Sequence, residues 1–247
     1  GPRKIMGPIS VHLWKNAPML GECPEVAIIG RSNAGKSTLV NSLLGYDSSY
    51  TKRAPVSSKP GETQALQFYV LRKQYKSKQP ALGIVDMPGY GFSFTSEKEA
   101  QRCFTLNSSY IRLRGKNLKR VLLVVDARHG LKRTDFRCLH DLMSNTFRDA
   151  GDITTDPSAD FDVKFDHSKK SANDATWKLQ IILTKCDLVE RLDLARRIAA
   201  VRDQVRANFF EDDLPVMMVS AAKGLGIVEL QKELSSLVIL DRVEKME

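Results

Sequence analysis

The chain has 247 residues, of which 42% are hydrophobic and 27% charged, close to the averages for soluble globular proteins. This length allows one or two domains, and 15 Gly with 10 Pro exclude a collagen-like or largely disordered chain. The longest apolar runs, such as residues 121–125, are far too short to cross a membrane. The four cysteines, at positions 23, 103, 138 and 186, have no paired spacing. We therefore expect free thiols in a reducing compartment rather than a disulfide framework or a zinc site.

The charge is unevenly distributed along the chain. Lys and Arg number 38 against 29 Asp and Glu, which gives a net charge of +9. Ten of the basic residues lie between Arg102 and Arg137, where there are only two acidic ones. Such a stretch attracts nucleic-acid phosphates, but a solvated helix face has the same composition. The charge alone leaves both interpretations open.

Short apolar runs alternate with segments of helical periodicity. Six runs predict buried strands, at residues 25–30, 68–71, 82–85, 121–125, 179–183 and 216–219. Helices are predicted at about 36–44 and where apolar residues recur at helical spacing, at 136–143, 194–205 and 227–237. Strands that alternate with helices predict an α/β fold, with a six-stranded, mostly parallel sheet and helices on both faces.

Two segments do not fit this pattern. We divide the chain into an N-terminal extension, residues 1–24, and one domain, residues 25–247. In the extension, only residues 9–14 have the pattern of a short extended piece. Residues 149–177 contain seven Asp against three Lys. Because loops between helices and strands usually have two to six residues, we expect this segment to be an acidic surface insertion.

Residues 30–37, GRSNAGKS, fit the phosphate-binding pattern G-x-x-x-x-G-K-[ST] and lie between a predicted strand and a predicted helix. In this pattern the glycines let backbone N–H groups turn toward the phosphates at the positive end of the helix. Lys36 would reach the β- and γ-phosphates, and the Ser37 hydroxyl would bind Mg²⁺. The predicted phosphate-contacting residues are Gly30, Arg31, Ser32, Asn33, Ala34, Gly35, Lys36, Ser37 and Thr38.

Three later pieces of sequence, each at the end of a predicted strand, select the base. Asp86 would be a second Mg²⁺ ligand, and Gly89 of the same D-x-x-G piece is free to contact the γ-phosphate. Asp187 can accept two hydrogen bonds from the guanine N1–H and amino group, which adenine cannot supply, while Lys185 can lie along the base plane. Each piece alone can be a turn or a capped strand end, but their order predicts GTP. The predicted contacts are Asp86, Met87, Pro88, Gly89, Thr184, Lys185, Cys186, Asp187, Val219, Ser220, Ala221 and Ala222.

Four motifs together resemble the EngB (YihA/YsxC) family of TRAFAC GTPases. They are GRSNxGKS at 30–37, PGxTQ at 60–64, VDxPGYG at 85–91 and DxRHG at 126–130. Thr184, in the place where most GTPases have Asn, is also typical of that family. The resemblance covers about residues 20–148 and 178–240. It implies a P-loop GTPase that hydrolyses GTP to GDP and assists assembly of the large ribosomal subunit in bacteria, mitochondria or plastids.

The resemblance also implies a switch segment at about residues 47–66. Thr63 would join the Mg²⁺ ligands Ser37 and Asp86 in the GTP state only, and the segment would loosen after hydrolysis. The implied catalytic residues are Lys36, Thr63 and Gly89, and the implied nucleotide contacts of the switch are Gly61, Glu62, Thr63, Gln64 and Ala65. Two features depart from the family, because Glu62 replaces a frequent basic residue and compact bacterial members lack the insertion at 149–177.

The residues that would accelerate hydrolysis are harder to assign. Tyr90 follows the D-x-x-G glycine, where Ras-like GTPases have the Gln that orients the attacking water. We therefore expect slow intrinsic hydrolysis. Arg31 is interpreted as a solvent-facing loop residue rather than an arginine finger. Asn33 matches the loop asparagine of GTPases that bind K⁺ beside the phosphates, although it can equally brace the loop.

The resemblance gives the basic stretch a partner. In an assembly factor it would contact rRNA phosphates through Arg112, Arg114, Lys116, Lys119 and Arg120. The expected partner is the large ribosomal subunit precursor, with its rRNA and ribosomal proteins. We expect no membrane contact and a monomer off the particle. The acidic insertion, the missing initiator Met and the length favour a mitochondrial location over a bacterial cytoplasm.

Two other functions stay open at this point. A GTP-binding protein that no longer hydrolyses GTP, and serves as a placeholder in a ribonucleoprotein particle, is compatible with Tyr90. An ATP-dependent kinase or ATPase is compatible with the phosphate-binding loop alone. The base-reading residues Thr184, Lys185 and Asp187 argue against adenine.

Overall fold

The structure is a computed structural model, and it describes residues 9–11, 18, 20–45, 65–72, 80–90, 97–143, 177–209 and 214–243. The strands are β1 (Ile9–Val11), β2 (Glu25–Gly30), β3 (Leu66–Arg72), β4 (Pro80–Asp86), β5 (Leu118–Asp126), β6 (Lys178–Thr184) and β7 (Val216–Met218). The helices are α1 (Lys36–Leu44), α2 (Glu97–Leu113), α3 (Arg133–Met143), α4 (Arg191–Phe209) and α5 (Ile227–Val243). All six predicted strands and all four predicted helices are present.

The strands form one sheet in the order β1-β3-β4-β2-β5-β6-β7. Neighbours from β4 to β7 pair in parallel, whereas β3 runs antiparallel to β4 and β1 antiparallel to β3. The register places Gly30 beside Val124 and Asp126 beside Thr184. The carboxyl ends of the parallel strands therefore meet at one edge of the sheet, where ligands of open α/β sheets bind. The predicted mostly parallel α/β fold is confirmed.

One strand extends the predicted sheet. β1 pairs with β3, with Ile9 opposite Phe68, so the described sheet has seven strands rather than six. Its three residues are too few for an alternating pattern to distinguish a strand from a loop. Pairing with the edge strand β3, which is a tertiary contact, decides its conformation. The rest of the predicted extended piece, residues 12–14, lies outside the described residues, as does most of the predicted insertion.

The sheet has an apolar layer on each face. Along β2, Ala27 and Ile29 belong to one layer and Val26 and Ile28 to the other, as the two-residue period of a strand requires. The first layer packs against α2, α3 and α4, through Leu106, Tyr110, Leu139, Val201 and Val205. The second packs against α1 and α5, through Leu39, Val40, Leu43, Leu230 and Leu234. Helices thus cover both faces, as expected, and no described helix is both long and apolar enough to cross a membrane.

Helix α2 was not predicted from periodicity. Its buried positions have helical spacing, but they include the polar Asn107 and the small Cys103 beside Leu106, Tyr110 and Ile111. The apolar stripe is therefore too interrupted to stand out in the sequence. The side-chain amide of Asn107 donates a hydrogen bond to the carbonyl oxygen of Pro88 at 2.9 Å. All four cysteines are free in the structure.

Two basic residues predicted to contact rRNA are instead buried in ion pairs. The Arg114 guanidinium donates from Nε to Glu25 Oε2 at 2.7 Å, and its side chain is only 9% exposed. Arg120, 13% exposed, lies 3.3 Å from the Glu233 carboxylate. The prediction is therefore wrong for Arg114 and Arg120, because a composition count cannot distinguish a surface charge from one that neutralises a buried carboxylate.

The basic stretch is also divided between the two ends of the sheet. Arg112 and Lys116 are exposed and lie before β5, at the end where the parallel strands begin. Lys132 and Arg133 are exposed and follow β5, at the edge where the strands end. The nine residues of β5 separate the two groups by roughly 25 Å. Only the second group is near the predicted phosphate site.

Candidate nucleotide-binding site

The predicted phosphate-binding loop connects β2 to α1. Two of its glycines are required for different reasons. Gly35 has a φ of +94°, a conformation that side chains disfavour. Gly30 has no such strain, but a Cβ there would lie 2.4 Å from the carbonyl oxygen of Val124. Asn33 also has a positive φ, 62°, which asparagine tolerates better than most residues.

Lys36 begins α1 and is buried. Its Nζ donates hydrogen bonds to the carbonyl oxygens of Gly30 at 3.1 Å and Arg31 at 3.0 Å, so the amine is held under the loop. Burial lowers the pKa of Lys36 to about 8, against the opposing charge of Asp86. A phosphate anion beside the amine would reverse this shift, since a nearby opposite charge favours the ionised form.

Ser37 and Asp86 are brought together as a metal site requires. The Ser37 hydroxyl donates to Asp86 Oδ2 at 2.7 Å. The other carboxylate oxygen, Oδ1, is buried without a hydrogen-bond partner among the described residues, and burial raises the pKa of Asp86 to about 6, opposed by Lys36 and Ser37. Hard oxygen donors with an unused lone pair fit Mg²⁺. The described residues hold no cluster of three or more His, Cys, Asp or Glu side chains that could bind a metal ion.

The D-x-x-G piece lies directly against the phosphate-binding loop. A Cβ added to Gly89 would be 2.8 Å from Lys36 Nζ and 2.9 Å from the backbone N of Ser32. Tyr90 N donates to Gly30 O at 3.3 Å, and Ser32 N donates to Tyr90 O at 3.0 Å. Gly89 is therefore a glycine because the backbone approaches the lysine amine too closely for any side chain.

Thr184 and Lys185 connect the base-reading segment to the phosphate-binding loop. The buried Thr184 hydroxyl is 2.6 Å from the Ala34 carbonyl oxygen and 3.3 Å from that of Val125. Lys185 Nζ donates to the Asn33 carbonyl oxygen at 2.7 Å and to Asp126 Oδ2 at 2.9 Å. Hydrogen bonds within the protein thus connect the base-reading segment directly to the phosphate-binding loop.

Asp126 closes the end of β5 and holds Lys185. It also accepts hydrogen bonds from Arg128 Nε at 3.0 Å and Nη2 at 2.7 Å. Burial raises the pKa of Asp126, but the hydrogen bonds from Arg128 and Lys185 outweigh it and hold the pKa well below its ordinary value. The carboxylate is therefore ionised and holds the Lys185 amine by a hydrogen bond.

Asp187 is exposed at the mouth of the site, where a base could reach it. Ser220, fully buried, donates from its hydroxyl to Asp187 Oδ1 at 2.6 Å. A backbone hydrogen bond from Cys186 N to Val219 O, at 3.3 Å, brings the two base-reading pieces side by side. Two other predicted contacts, Ala221 and Ala222, directly follow Ser220 in the chain. Met87, which directly follows Asp86, is buried.

The prediction of a solvent-facing Arg31 is wrong. Its side chain is 15% exposed and pairs with Asp135 at 3.0 Å, and its Nη2 donates to Gly130 O at 3.2 Å. Asp135 also accepts from the Tyr90 hydroxyl at 2.7 Å and from Lys132 N at 2.8 Å. Burial raises the pKa of Asp135, although the hydrogen bonds from Lys132, Tyr90 and Arg31 lower it. No local sequence pattern indicates this burial, because Asp135 lies directly before the predicted helix at 136–143 and acidic residues are mostly exposed.

Part of the predicted site lies outside the described residues, namely Gly61, Glu62, Thr63 and Gln64. Ala65, the next residue, is buried at the start of the β3 region, and Thr38 is exposed on the first turn of α1. The third predicted Mg²⁺ ligand, Thr63, therefore stays a prediction. The described part brings together the phosphate-binding loop, Asp86, Gly89 and the base-reading pieces.

Known proteins match both the sequence and the fold. Residues 25–149 match a family described as 50S ribosome-binding GTPase. The chain is 34% identical over 220 residues to the probable GTP-binding protein EngB of Caulobacter vibrioides, an alignment that covers 88% of this chain and 76% of that protein. It is 30% identical to the probable GTP-binding protein EngB of Rhizobium johnstonii, with 95% of this chain and 96% of that protein covered.

Solved structures share the fold at lower identity. A crystal structure of a probable GTP-binding protein engB has a TM-score of 0.56 and 19% identity, with 87% of this chain and 98% of that chain covered. Era in complex with MgGDPNP and part of 16S ribosomal RNA has a TM-score of 0.56 and 20% identity, with 87% of this chain and 56% of that chain covered. The fold and the site define a P-loop GTPase. By its identity to the EngB proteins, the chain belongs to the EngB family of GTP-binding proteins.

Proposed function

We propose that this GTPase is a switch that binds the large ribosomal subunit precursor in its GTP form and leaves after slow hydrolysis. The matched family description names the 50S ribosome, and the exposed basic residues Lys132 and Arg133 lie at the nucleotide end of the sheet. The observation that carries the switch is the contact of Gly89 with Lys36 and Ser32. Gly89, which would contact the γ-phosphate, lies next to the Lys36 amine that would bind the same phosphate.

The chemistry assigned to Mg²⁺ follows from the donors present. Ser37 and Asp86 would hold the ion, with Thr63 added in the GTP form, and the ion would neutralise charge on the β- and γ-phosphate oxygens. Lys36 binds and orients those oxygens, and the helix N-terminus at Gly35 presents backbone N–H groups to them. A potassium ion beside Asn33 would add positive charge at the same place, and this role of Asn33 stays a prediction.

A catalytically silent placeholder is the second candidate, and one observation favours it. Tyr90 occupies the water-orienting position, and its hydroxyl is directed at Asp135 rather than left available for a water. Burial first, and then the neighbouring Cys138 and Asp135, raise the pKa of Tyr90 well above its ordinary value, so the group is no general base. Hydrolysis without a partner is therefore slow in either case.

Single-turnover hydrolysis with and without purified large-subunit precursors separates the two candidates. A switch gives faster hydrolysis on the particle, whereas a placeholder gives the same slow rate. Co-sedimentation with the particle should be stronger with a non-hydrolysable GTP analogue than with GDP. Lys36→Gln should lose nucleotide binding and this difference, while Lys232→Gln, an exposed lysine of α5, is the matched control. Equal co-sedimentation in GDP and analogue would contradict the switch.

The predicted mitochondrial location also stays a proposal. It is supported by the acidic segment at 149–177, which compact bacterial members of the resembled family lack. Fluorescence microscopy of the tagged full-length protein in its source cells tests it. Signal that does not overlap a mitochondrial marker would remove the proposal.

A further inference from the structure

Asp135 accepts hydrogen bonds from two other segments of the chain beside the nucleotide site. It lies in the first turn of α3 and its side chain is fully buried. Arg31 of the phosphate-binding loop donates to Asp135 Oδ1 at 3.2 Å, and the hydroxyl of Tyr90, after the D-x-x-G piece, donates to the same oxygen at 2.7 Å. We call the Tyr90–Asp135 and Arg31–Asp135 contacts the latch. Burying a carboxylate is costly unless it is paired, so the latch is a strong local constraint.

None of the recognised nucleotide contacts needs this constraint. The phosphates are served by the loop backbone, Lys36 and Ser37, and the base by Lys185 and Asp187. The latch acts on the position of Tyr90, which directly follows Gly89. Through the backbone hydrogen bonds of Tyr90 to Gly30 and Ser32, it keeps the D-x-x-G piece against the loop.

This closed arrangement leaves no space for a third phosphate. In a P-loop site the γ-phosphate has to lie between the loop lysine and the D-x-x-G glycine. A Cβ built on Gly89 would be 2.8 Å from Lys36 Nζ, so the Gly89 Cα lies within about 4.3 Å of the amine. A phosphate oxygen, which needs about 2.8 Å to the amine alone, does not fit between them. Gly89 must move back for GTP, whereas GDP makes no such demand.

We propose that Asp135 is a positioning residue that holds Tyr90, and through it Gly89, in the closed arrangement, so that GTP binding has to release Tyr90. The inference rests on the proposed GTP switch and adds to it a specific opposing contact. Because the contact is broken only when a third phosphate binds, it lowers the affinity for GTP and leaves the affinity for GDP unchanged.

The variant Tyr90→Phe tests the latch, because it removes one hydroxyl and keeps the ring. In the full chain, we expect GDP affinity to stay within about twofold and affinity for a non-hydrolysable GTP analogue to rise about tenfold, the effect of one hydrogen bond to a charged group. Both constants are measured by isothermal titration calorimetry with Mg²⁺. Asp135→Asn, which keeps the shape and removes the charge, should shift the ratio of the two affinities in the same direction.

Tyr110→Phe is the matched control. Tyr110 also donates from its hydroxyl to a buried carboxylate, that of Glu25, but at the opposite end of the sheet. A purely structural role for Tyr90 would make the two Phe variants alike, with reduced melting temperatures and an unchanged ratio of GTP to GDP affinity. That result in both Tyr90→Phe and Asp135→Asn overturns the latch. Wild-type protein that binds neither nucleotide would instead refute the proposed function.

Discussion

At the scale of single residues, base selection depends on the Asp187 carboxylate, which Ser220 holds by one hydrogen bond. Asp187→Asn reverses the donor and acceptor pattern offered to the base and still accepts from Ser220. We expect GTP binding to weaken by about 2–4 kcal/mol, the loss of a charge-assisted pair, and affinity for xanthosine triphosphate to rise. Competition binding with both nucleotides measures this.

Asp193→Asn is the control for Asp187→Asn, because Asp193 is an exposed carboxylate of α4 that pairs with Arg196. It should leave both nucleotide affinities unchanged. A GTP affinity that does not fall in Asp187→Asn would remove the assignment of base reading to this residue.

Asp126 is the second single residue with a specific expectation. Asp126→Asn keeps the shape but weakens the hydrogen bonds to Lys185 and Arg128. We expect GTP and GDP affinities to fall together, because both share the base, and the melting temperature at pH 7 to fall by about 4–8 °C. Because the folded pKa of Asp126 is depressed, its stabilisation is present above a pH of about 4 and is lost as the pH falls below that value.

Thermal unfolding of wild type and Asp126→Asn between pH 7 and pH 3 checks this expectation. The difference in melting temperature should be constant down to a pH of about 4 and shrink below it. A difference that grows on acidification would have the wrong sign for an ionised carboxylate. Unequal losses of GTP and GDP affinity would place the effect at the third phosphate instead.

The sequence predicts those site residues whose roles follow from local order. Lys36 and Ser37 begin α1 and Asp86 ends β4, and the backbone geometry of a P-loop leaves few alternatives for them. The partnership of Arg31 with Asp135 spans 104 positions. It depends on how α3 packs beside the loop, which no local pattern contains. Spacing therefore identifies the nucleotide contacts, while tertiary packing decides which neighbours hold them in place.

At the scale of elements, the end of α2 is fastened to the start of β2 by the buried pair Arg114–Glu25. Glu25 is fully buried, and the Arg114 guanidinium also lies 5.8 Å from the centroid of the Phe68 ring. Arg114→Leu removes the charged partner of this buried carboxylate, so we expect a loss of about 3–5 kcal/mol in the free energy of unfolding. Chemical denaturation monitored by circular dichroism measures it.

Lys116→Gln is the matched control for the Arg114 prediction. The Lys116 side chain is 74% exposed and pairs only loosely with Glu22, at 3.5 Å, so its loss should change stability by less than about 0.5 kcal/mol. The double variant Glu25→Gln with Arg114→Leu should recover part of the loss, because no buried charge is left unpaired. Equal stability of Arg114→Leu and wild type would contradict the structural role.

Strands and helices can be predicted from the sequence where their buried residues form an uninterrupted apolar pattern. The central strands β2, β5 and β6 are apolar on both faces, and α1 lies between a glycine-rich turn and Gly45, so their bounds are readable from pattern. Helix α2 mixes Asn107 into its buried face because that side chain binds a backbone carbonyl. Periodicity measures apolarity and cannot register a polar residue that is buried with its partner.

At the scale of the whole molecule, the two exposed basic groups face different ends of the sheet. Replacing Lys132 and Arg133 with Gln should weaken particle binding in the GTP form and flatten the slope of log K against log [salt] by about one unit per lost contact. Replacing Arg112 and Lys116 removes the same charge about 25 Å away. It should preserve the difference between GTP-form and GDP-form binding. Co-sedimentation over a salt series with both nucleotides measures these effects.

The pair of double variants separates location from charge. If total charge alone matters, both variants lose the same affinity in both nucleotide forms. If replacing Arg112 and Lys116 abolishes the difference between GTP-form and GDP-form binding, while replacing Lys132 and Arg133 does not, the docking surface lies at the end of the sheet away from the phosphates. GTP affinity should be unchanged in both variants, because neither contains a nucleotide-binding motif residue.

The hydrogen bonds from Thr184 and Lys185 to the phosphate-binding loop have a consequence for how the protein responds to its surroundings. They prepare the surface that meets the base and the first two phosphates, so little order has to be gained there on binding. The third phosphate, in contrast, meets Gly89 packed on the lysine amine. Both nucleotides compete for the same prepared surface, and only one of them changes the conformation. The occupied state then reports the proportion of GTP to GDP in the compartment, and thus its energy supply, rather than the amount of either nucleotide.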